Sequence, residues 1–189
     1  YGAIVDNGVS GHFATRNRGK KSIVMNMKDE KQKELFLELL KTADAVVENY
    51  KPGTMEKFGL SFEKMQEVNP KIVLTSISGY GQEGPYASHG AFDQTIQAES
   101  GVMSVTGFPG TDPVKCGVPI ADYCGGLCGC IGTLMAMLEA QRTGHGRHVD
   151  VSMMDAMIFC LENSMTTYLR NGVIPEQTGN GYASSAPIG

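Results

Sequence analysis

Asp122 is the only charged residue at the head of a long apolar run: from Tyr123 to Leu138 there is no Asp, Glu, Lys, Arg or His. The run is crowded with Gly125, Gly126, Gly129 and Gly132. A helix starting here presents Asp122 at its N-terminal end, where free backbone N–H groups and the positive end of the helix dipole favour an ionised carboxylate. Two chemistries follow: Asp122 caps the helix, or it is a carboxylate nucleophile. Lys28, Lys51 and Lys57 lie at or beyond the carboxyl ends of expected parallel strands, where open α/β sheets place ligands. They suit phosphate groups, while spacing alone favours a solvated lysine face.

Other constellations point elsewhere than to chemistry. His12, His89, His145 and His148 have neither the H-E-x-x-H spacing nor a G-x-S-x-G serine, and read as loop and strand residues. Cys124, Cys128 and Cys130 sit in a Gly-rich apolar run with no paired cysteine or histidine motif, so they read as packing residues, and no metal is expected. The 5 cysteines form an odd set without framework spacing, as expected of reduced thiols in a cytoplasmic protein. Many of the 11 methionines fall in apolar stretches, among them Met135, Met137, Met153, Met154 and Met157, and read as core filling. Gly79-Tyr80-Gly81-Gln82-Glu83-Gly84 matches G-x-G-x-x-G, but Pro85-Tyr86 follows where a dinucleotide fold needs a helix start. Gly11 and Gly19-Lys20-Lys21-Ser22 have the wrong spacing for a Walker loop, so no nucleotide cofactor is expected.

The bulk numbers agree with a globular domain. A net charge of −4 and a pI near 5.6 give no electrostatic footprint for nucleic acid. Hydrophobic residues make up 41% and charged residues 19%, below the usual quarter, which suggests a surface covered by a partner. The apolar run after Asp122 is short for a bilayer span and reads as a buried helix rather than a membrane segment. Tyr1 at the start and Gly189 at the close suggest an excerpt of a longer protein.

The elements that must position Asp122 alternate. Residues 22–27 read as a strand, 29–42 as a helix with Leu35, Phe36, Leu39 and Leu40 on one face, and 45–47 as a strand. A short helical piece follows at 54–58, then a helix capped by Ser61 that ends at Asn69-Pro70, then a strand at 72–77. Residues 92–100 and 122–142 read as helices, the second closed by Gly144, and 147–151 as a strand. Ser152 opens a last helix reaching about Arg170. The order predicts an α/β fold, a Rossmann-like parallel sheet with crossover helices.

Several segments in this order resemble one family. They are Asn17-Arg18-Gly19-Lys20-Lys21-Ser22-Ile23, Ala43-Asp44-Ala45-Val46-Val47-Glu48-Asn49-Tyr50-Lys51-Pro52-Gly53, Ser76-Ile77-Ser78-Gly79-Tyr80-Gly81, Phe92-Asp93 with Gln97-Ala98-Glu99-Ser100-Gly101, Asp122 before its glycines, and Thr143-Gly144-His145-Gly146-Arg147 through Asp155-Ala156. Together they resemble the class III CoA-transferases, the family of formyl-CoA and carnitine CoA-transferases, over essentially the whole chain.

That resemblance implies that Asp122 is the nucleophile toward an acyl-CoA thioester, passing through an aspartyl anhydride and an aspartyl-CoA thioester. It implies CoA contacts at Met25, Asn26, Met27 and Lys28, at Asn49, Tyr50 and Lys51, at Lys57, and at Gly90, Ala91, Phe92 and Asp93. Lys57 stands where relatives often carry arginine, keeping the charge without the fork geometry. The implied substrates are acyl-CoA and a carboxylic acid, and the implied assembly is an interlocked homodimer, with residues 1–170 a partial large domain and 171–189 the start of a linker. Residues 179–185 resemble the place of a glycine-rich loop that covers the active site in some relatives. Here they are not a glycine run, which argues against Ala183, Ser184 and Ser185 acting as a lid. The resemblance also brings a rival, a 2-methylacyl-CoA racemase, and a second alternative, from a different class, is a non-catalytic CoA-binding or assembly subunit. The racemases need a histidine where this chain has Phe92, which cannot move a proton.

Overall fold

The computed structural model describes residues 4–5 and 8–181. It divides into two compact units, Tyr1–Leu35 and Phe36–Gly189.

In the first unit β1 (Ile4–Val5) pairs antiparallel with β2 (Val9–Ser10), and α1 (Gly11–Arg16) follows directly. Ser10 starts that helix by accepting the Phe13 N–H at 3.0 Å, and His12 is therefore helical rather than in a loop or strand. Residues 22–27 do not form the expected strand. A strand needs a neighbour for its backbone groups, and no ladder among the described residues takes this segment; Val24 is 97% exposed. Local side chains organise its end instead. The Asn26 N–H donates to Gln32 Oε1 at 2.6 Å, Asn26 Oδ1 accepts from the Lys28 N–H, and Asp29 Oδ1 accepts from the Gln32 N–H. These bonds lead into α2 (Glu30–Leu40), which continues into the second unit. On its expected apolar face Leu40 is buried, Phe36 is half-buried, and Leu35 and Leu39 are exposed.

The second unit is built on β3 (Ala45–Glu48), β4 (Val73–Ser78) and β5 (His148–Ser152), all parallel in the order β3-β4-β5. Between β3 and β4 lie α3 (Thr54–Lys57) and α4 (Phe62–Val68), the latter capped by Ser61 as expected. Asn69 closes this turn by donating from Nδ2 to the carbonyls of Leu40 and Ala43, both at 2.9 Å. The central strand β4 is buried, including polar residues, and two of these are paired. Thr75 Oγ1 meets Thr133 Oγ1 at 2.6 Å, and Ser76 Oγ meets His148 Nε2 at 2.9 Å.

After β4 come α5 (Asp93–Glu99), α6 (Val102–Val105) and α7 (Ile120–Thr143), which packs on β4 and β5. Its glycines explain how. A Cβ on Gly125 would stand 2.9 Å from Met153 Cγ, one on Gly129 2.8 Å from Ile77 Cδ1, and one on Gly132 2.7 Å from Val149 Cγ1. Their spacing of four and three residues makes a bare stripe along one helix face, so the backbone lies close against the sheet. The rest of α7 corrects the expectation of a buried helix, since Leu127, Ile131, Leu134, Met135 and Leu138 are exposed. By length and composition alone α7 would be sufficient to span a bilayer, but its small-residue face is occupied by the sheet. Gly144 ends it in the left-handed conformation at φ 80°.

Ser152 caps α8 (Met153–Cys160) through the Asp155 N–H at 3.1 Å. The single last helix expected there is divided at Leu161, after which α9 (Glu162–Asn171) begins. Leu161 separates a strongly apolar α8, which buries Met153, Ala156 and Met157, from a polar α9, which buries no residue. The chain then returns across the connection before α7: Gln177 Nε2 donates to the Thr106 carbonyl at 2.8 Å, and the Gly179 N–H to the Gly107 carbonyl at 2.9 Å. Ala183, Ser184 and Ser185 lie outside the described residues.

Candidate active site

Helix α7 begins two residues before Asp122, with Pro119 in the cap position, so Asp122 occupies the first turn. Its direction follows from the glycine contacts. Gly125 faces Met153 and Ile77, Gly129 faces Ile77 and Thr75, and Gly132 faces Val149. The helix thus runs opposite to β4 and β5, and its first turn lies at the carboxyl end of the parallel sheet, where such sheets bind ligands. The Asp122 side chain is exposed there.

One short segment crosses that end of the sheet. Lys51, three residues past β3, brings Nζ to 3.2 Å from where a Cβ on Gly90 would stand. A Cβ on Gly79, the residue after β4, would stand 2.5 Å from the Ala91 Cβ, so only glycine permits this crossing. Phe92 points outward and is 84% exposed. Asp93 turns back inward, and its Oδ1 accepts the N–H groups of Ala121 at 2.8 Å and Asp122 at 3.4 Å. Its Oδ2 accepts from Gln97 Nε2 at 2.6 Å, while Gln97 Oε1 accepts the Cys116 N–H at 2.8 Å.

The structure therefore brings Lys51, Gly90, Ala91, Asp93 and Asp122 to one end of the sheet. Asn49 and Tyr50 are exposed beside Lys51, and the Tyr50 N–H donates to Glu48 Oε2 at 2.6 Å. Lys57 is exposed on α3. Met25, Asn26, Met27 and Lys28 belong to the first unit, with Asn26 and Lys28 joined in the turn before α2.

Residues that sequence reasoning missed line the same end. Ser78 Oγ and Gln82 Nε2 are buried without a hydrogen-bond partner among the described residues. The Gln82 N–H donates to Asp150 Oδ2 at 2.9 Å, and the Met154 N–H to the Gly79 carbonyl at 3.0 Å. Gln97 was legible only as part of the Gln97-Ala98-Glu99-Ser100-Gly101 segment, with nothing to mark its amide as a buried bridge.

Burial pushes the Cys124 thiol up to about 11, with a contribution from Cys160, whose Sγ lies 3.8 Å away. Burial and the Glu99 carboxylate that accepts its proton at 2.8 Å raise the Tyr80 phenol. Among the described residues no group of three or more His, Cys, Asp or Glu is arranged to hold a metal ion. An open cavity of about 590 Å³, lined by Val105, Leu161, Thr167, Ile174 and neighbours, includes neither Asp122 nor the crossing segment.

Comparison with known proteins gives this geometry a context. The family model described as "CoA-transferase family III" matches residues 1–189. The chain is 39% identical over 178 residues to the acetyl-CoA:oxalate CoA-transferase of Acetobacter aceti, covering 94% of this chain and 46% of that protein. It is 37% identical over 182 residues to the succinate–glutarate CoA-transferase of Agrobacterium fabrum, covering 96% of this chain and 46% of the relative. The crystal structure of a CAIB/BAIF family protein from Brucella suis superposes with a TM-score of 0.87 at 38% identity, covering 94% of this chain and 47% of that one. The chain spans about half the length of the curated relatives it matches.

Proposed function

The chain belongs to the CoA-transferase family III, and we propose that the full-length protein moves CoA from an acyl-CoA donor to a free carboxylic acid with Asp122 as the nucleophile. The observation that carries this reading is the exposed Asp122 carboxylate on the first turn of α7, at the carboxyl end of the parallel sheet. In the first step an Asp122 oxygen attacks the thioester carbonyl, the C–S bond breaks, and an aspartyl anhydride forms as CoA leaves as thiolate. The thiolate then attacks the aspartyl carbonyl, releasing the donor acid and leaving an aspartyl-CoA thioester. The acceptor carboxylate runs the two steps in reverse. One thioester replaces another, so no proton or electron has to be supplied from outside.

Lys51 and the Gly90–Ala91 crossing are the groups nearest to hand for the coenzyme's phosphates and for close backbone approach. Both curated relatives are named for diacids, oxalate in one and succinate with glutarate in the other, so a dicarboxylate is the acceptor class to test first. The reading extends to a homodimer in the cytoplasm, and the exposed apolar residues of α7, which suit an obligate interface, support the dimer. Sedimentation of the full-length protein tests that assembly.

The test of the chemistry is trapping. Full-length protein incubated with acyl-CoA and quenched with hydroxylamine should carry a hydroxamate at Asp122, read by peptide mass. A protein that binds CoA with no adduct at any residue is a binding subunit. Exchange of the substrate α-proton in deuterated water, without transfer, is racemase chemistry, for which Phe92 offers no titratable group.

A further inference from the structure

We propose that Asp93 is a positioning residue for Asp122, a cap supplied to α7 by a different helix. The inference rests on the role of Asp122 proposed above. A helix leaves its first N–H groups without internal partners, and the residue in the cap position here, Pro119, has no side-chain acceptor. Asp93, at the start of α5, supplies one oxygen to two successive amides of α7, those of Ala121 and Asp122. The acceptor is a carboxylate at the positive end of a 24-residue helix, so these bonds are charge-assisted.

The other half of the device sets Asp93 itself. Its second oxygen is held by Gln97, which is 0% exposed and lies one turn further along α5. The same amide of Gln97 accepts the Cys116 N–H, on the connection that feeds α7. The chain is therefore tied to α5 on both sides of Pro119, at Cys116 before the helix and at Ala121 and Asp122 inside it. Apolar packing makes the tie rigid. Ile96 and Ala121 are both fully buried and share a cluster with Met153 and Met157. A nucleophile that has to meet a thioester carbonyl at bonding distance loses rate steeply with small errors of placement. The α5 clamp fixes the backbone from which the Asp122 carboxylate projects.

The experiment uses the full-length protein with acyl-CoA and an acceptor acid. D93A should lower kcat roughly 10- to 100-fold, while KM for acyl-CoA and Kd for CoA stay within about twofold. D93N keeps an acceptor for the Ala121 amide but turns an NH2 toward the Gln97 NH2, so it should recover only part of the lost kcat, and D93N/Q97E, which restores the donor–acceptor pairing, most of it. Q97M, of similar volume, leaves Asp93 in place but unclamped, and should lower kcat by a few-fold with KM unchanged; it serves as the readout if D93A does not fold. The proposal is overturned if D93A and Q97M keep full kcat, or if D93A raises KM and Kd at constant kcat, which makes Asp93 a coenzyme contact. It is also overturned if D93N/Q97E is as slow as D93A at equal thermal stability. Failure of the Asp122 reading is separate: D122A would then keep full turnover whatever Asp93 does.

Discussion

The two long faces of α7 are both apolar, and the fold treats them in opposite ways. Gly125, Gly129, Ala136 and Ala140 are buried, with Gly132 close against Val149, while the larger Leu127, Ile131, Leu134, Met135 and Leu138 are exposed. Ranking by hydrophobicity would place the large residues inside. What decides here is distance of approach: the sheet presents Ile77 and Val149, and α8 presents Met153, within 3 Å of where side chains would start, so only the smallest residues fit. The close approach also sets where α7 begins relative to the sheet, and with it the height of Asp122 above the strand ends. The outer face is then an apolar stripe of the kind that marks a covered surface.

The sharpest way to break this contrast is to fill the inner face. Gly129→Leu forces new atoms against Ile77 and Thr75 and should cost about 3 kcal/mol in chemical denaturation, with loss of transfer activity as α7 moves. Little change in stability would mean that α7 does not sit on the sheet as described.

The outer face gives the next largest effect. In the full-length protein, Ile131→Ser with Leu134→Ser should weaken subunit association in sedimentation or lower stability by about 2 kcal/mol. If both residues stay in water, the change is within about 0.5 kcal/mol.

How much of this was legible from sequence depended on the range of the interactions. β3, α4, β4, β5 and the end of α7 were read correctly because their signals are local: β-branched runs, the Ser61 and Ser152 caps, and Gly144 at φ 80°. Residues 22–27 carry the same kind of apolar run, Ile23 and Val24 among them, but a strand is made by its neighbour and no described ladder includes this one. The stop at Leu161 was hidden in a pattern that reads as continuous helix. The placement of Asp122 in the first turn of α7 was legible from its own stretch of sequence, and a placement that depends on a pairing was not. Asp93 lies 28 positions from Ala121, and nothing local indicates that its carboxylate serves the backbone of another helix. Ser78 and Gln82 are inconspicuous in sequence for the same reason.

A smaller effect sharpens the inner-versus-outer distinction within the glycines themselves. Nothing lies within 4 Å of a Cβ on Gly126, so Gly126→Ala should stabilise the protein by about 0.5–1 kcal/mol, opposite in sign to Gly129→Leu. A destabilised Gly126→Ala variant would mean that this face is also closely covered.

The cysteines report the same faces without mutation. Cys128 and Cys130 are exposed, whereas burial raises the Cys124 thiol to about 11. A raised thiol stays protonated, so at pH 8 its thiolate fraction is about one in a thousand. Alkylation followed by mass spectrometry should modify Cys124 last, with its rate still climbing as pH approaches 11. Equal rates at all three positions would place Cys124 in solvent.

The proposed transfer depends on a single carboxylate, and acyl-CoA turnover by full-length D122A, with folding confirmed by an unchanged thermal transition, tests it. Turnover should fall by at least about a thousandfold, with no hydroxylamine-trapped adduct and with CoA binding retained. Turnover within a few-fold of the unmodified protein would contradict it and require a nucleophile other than Asp122.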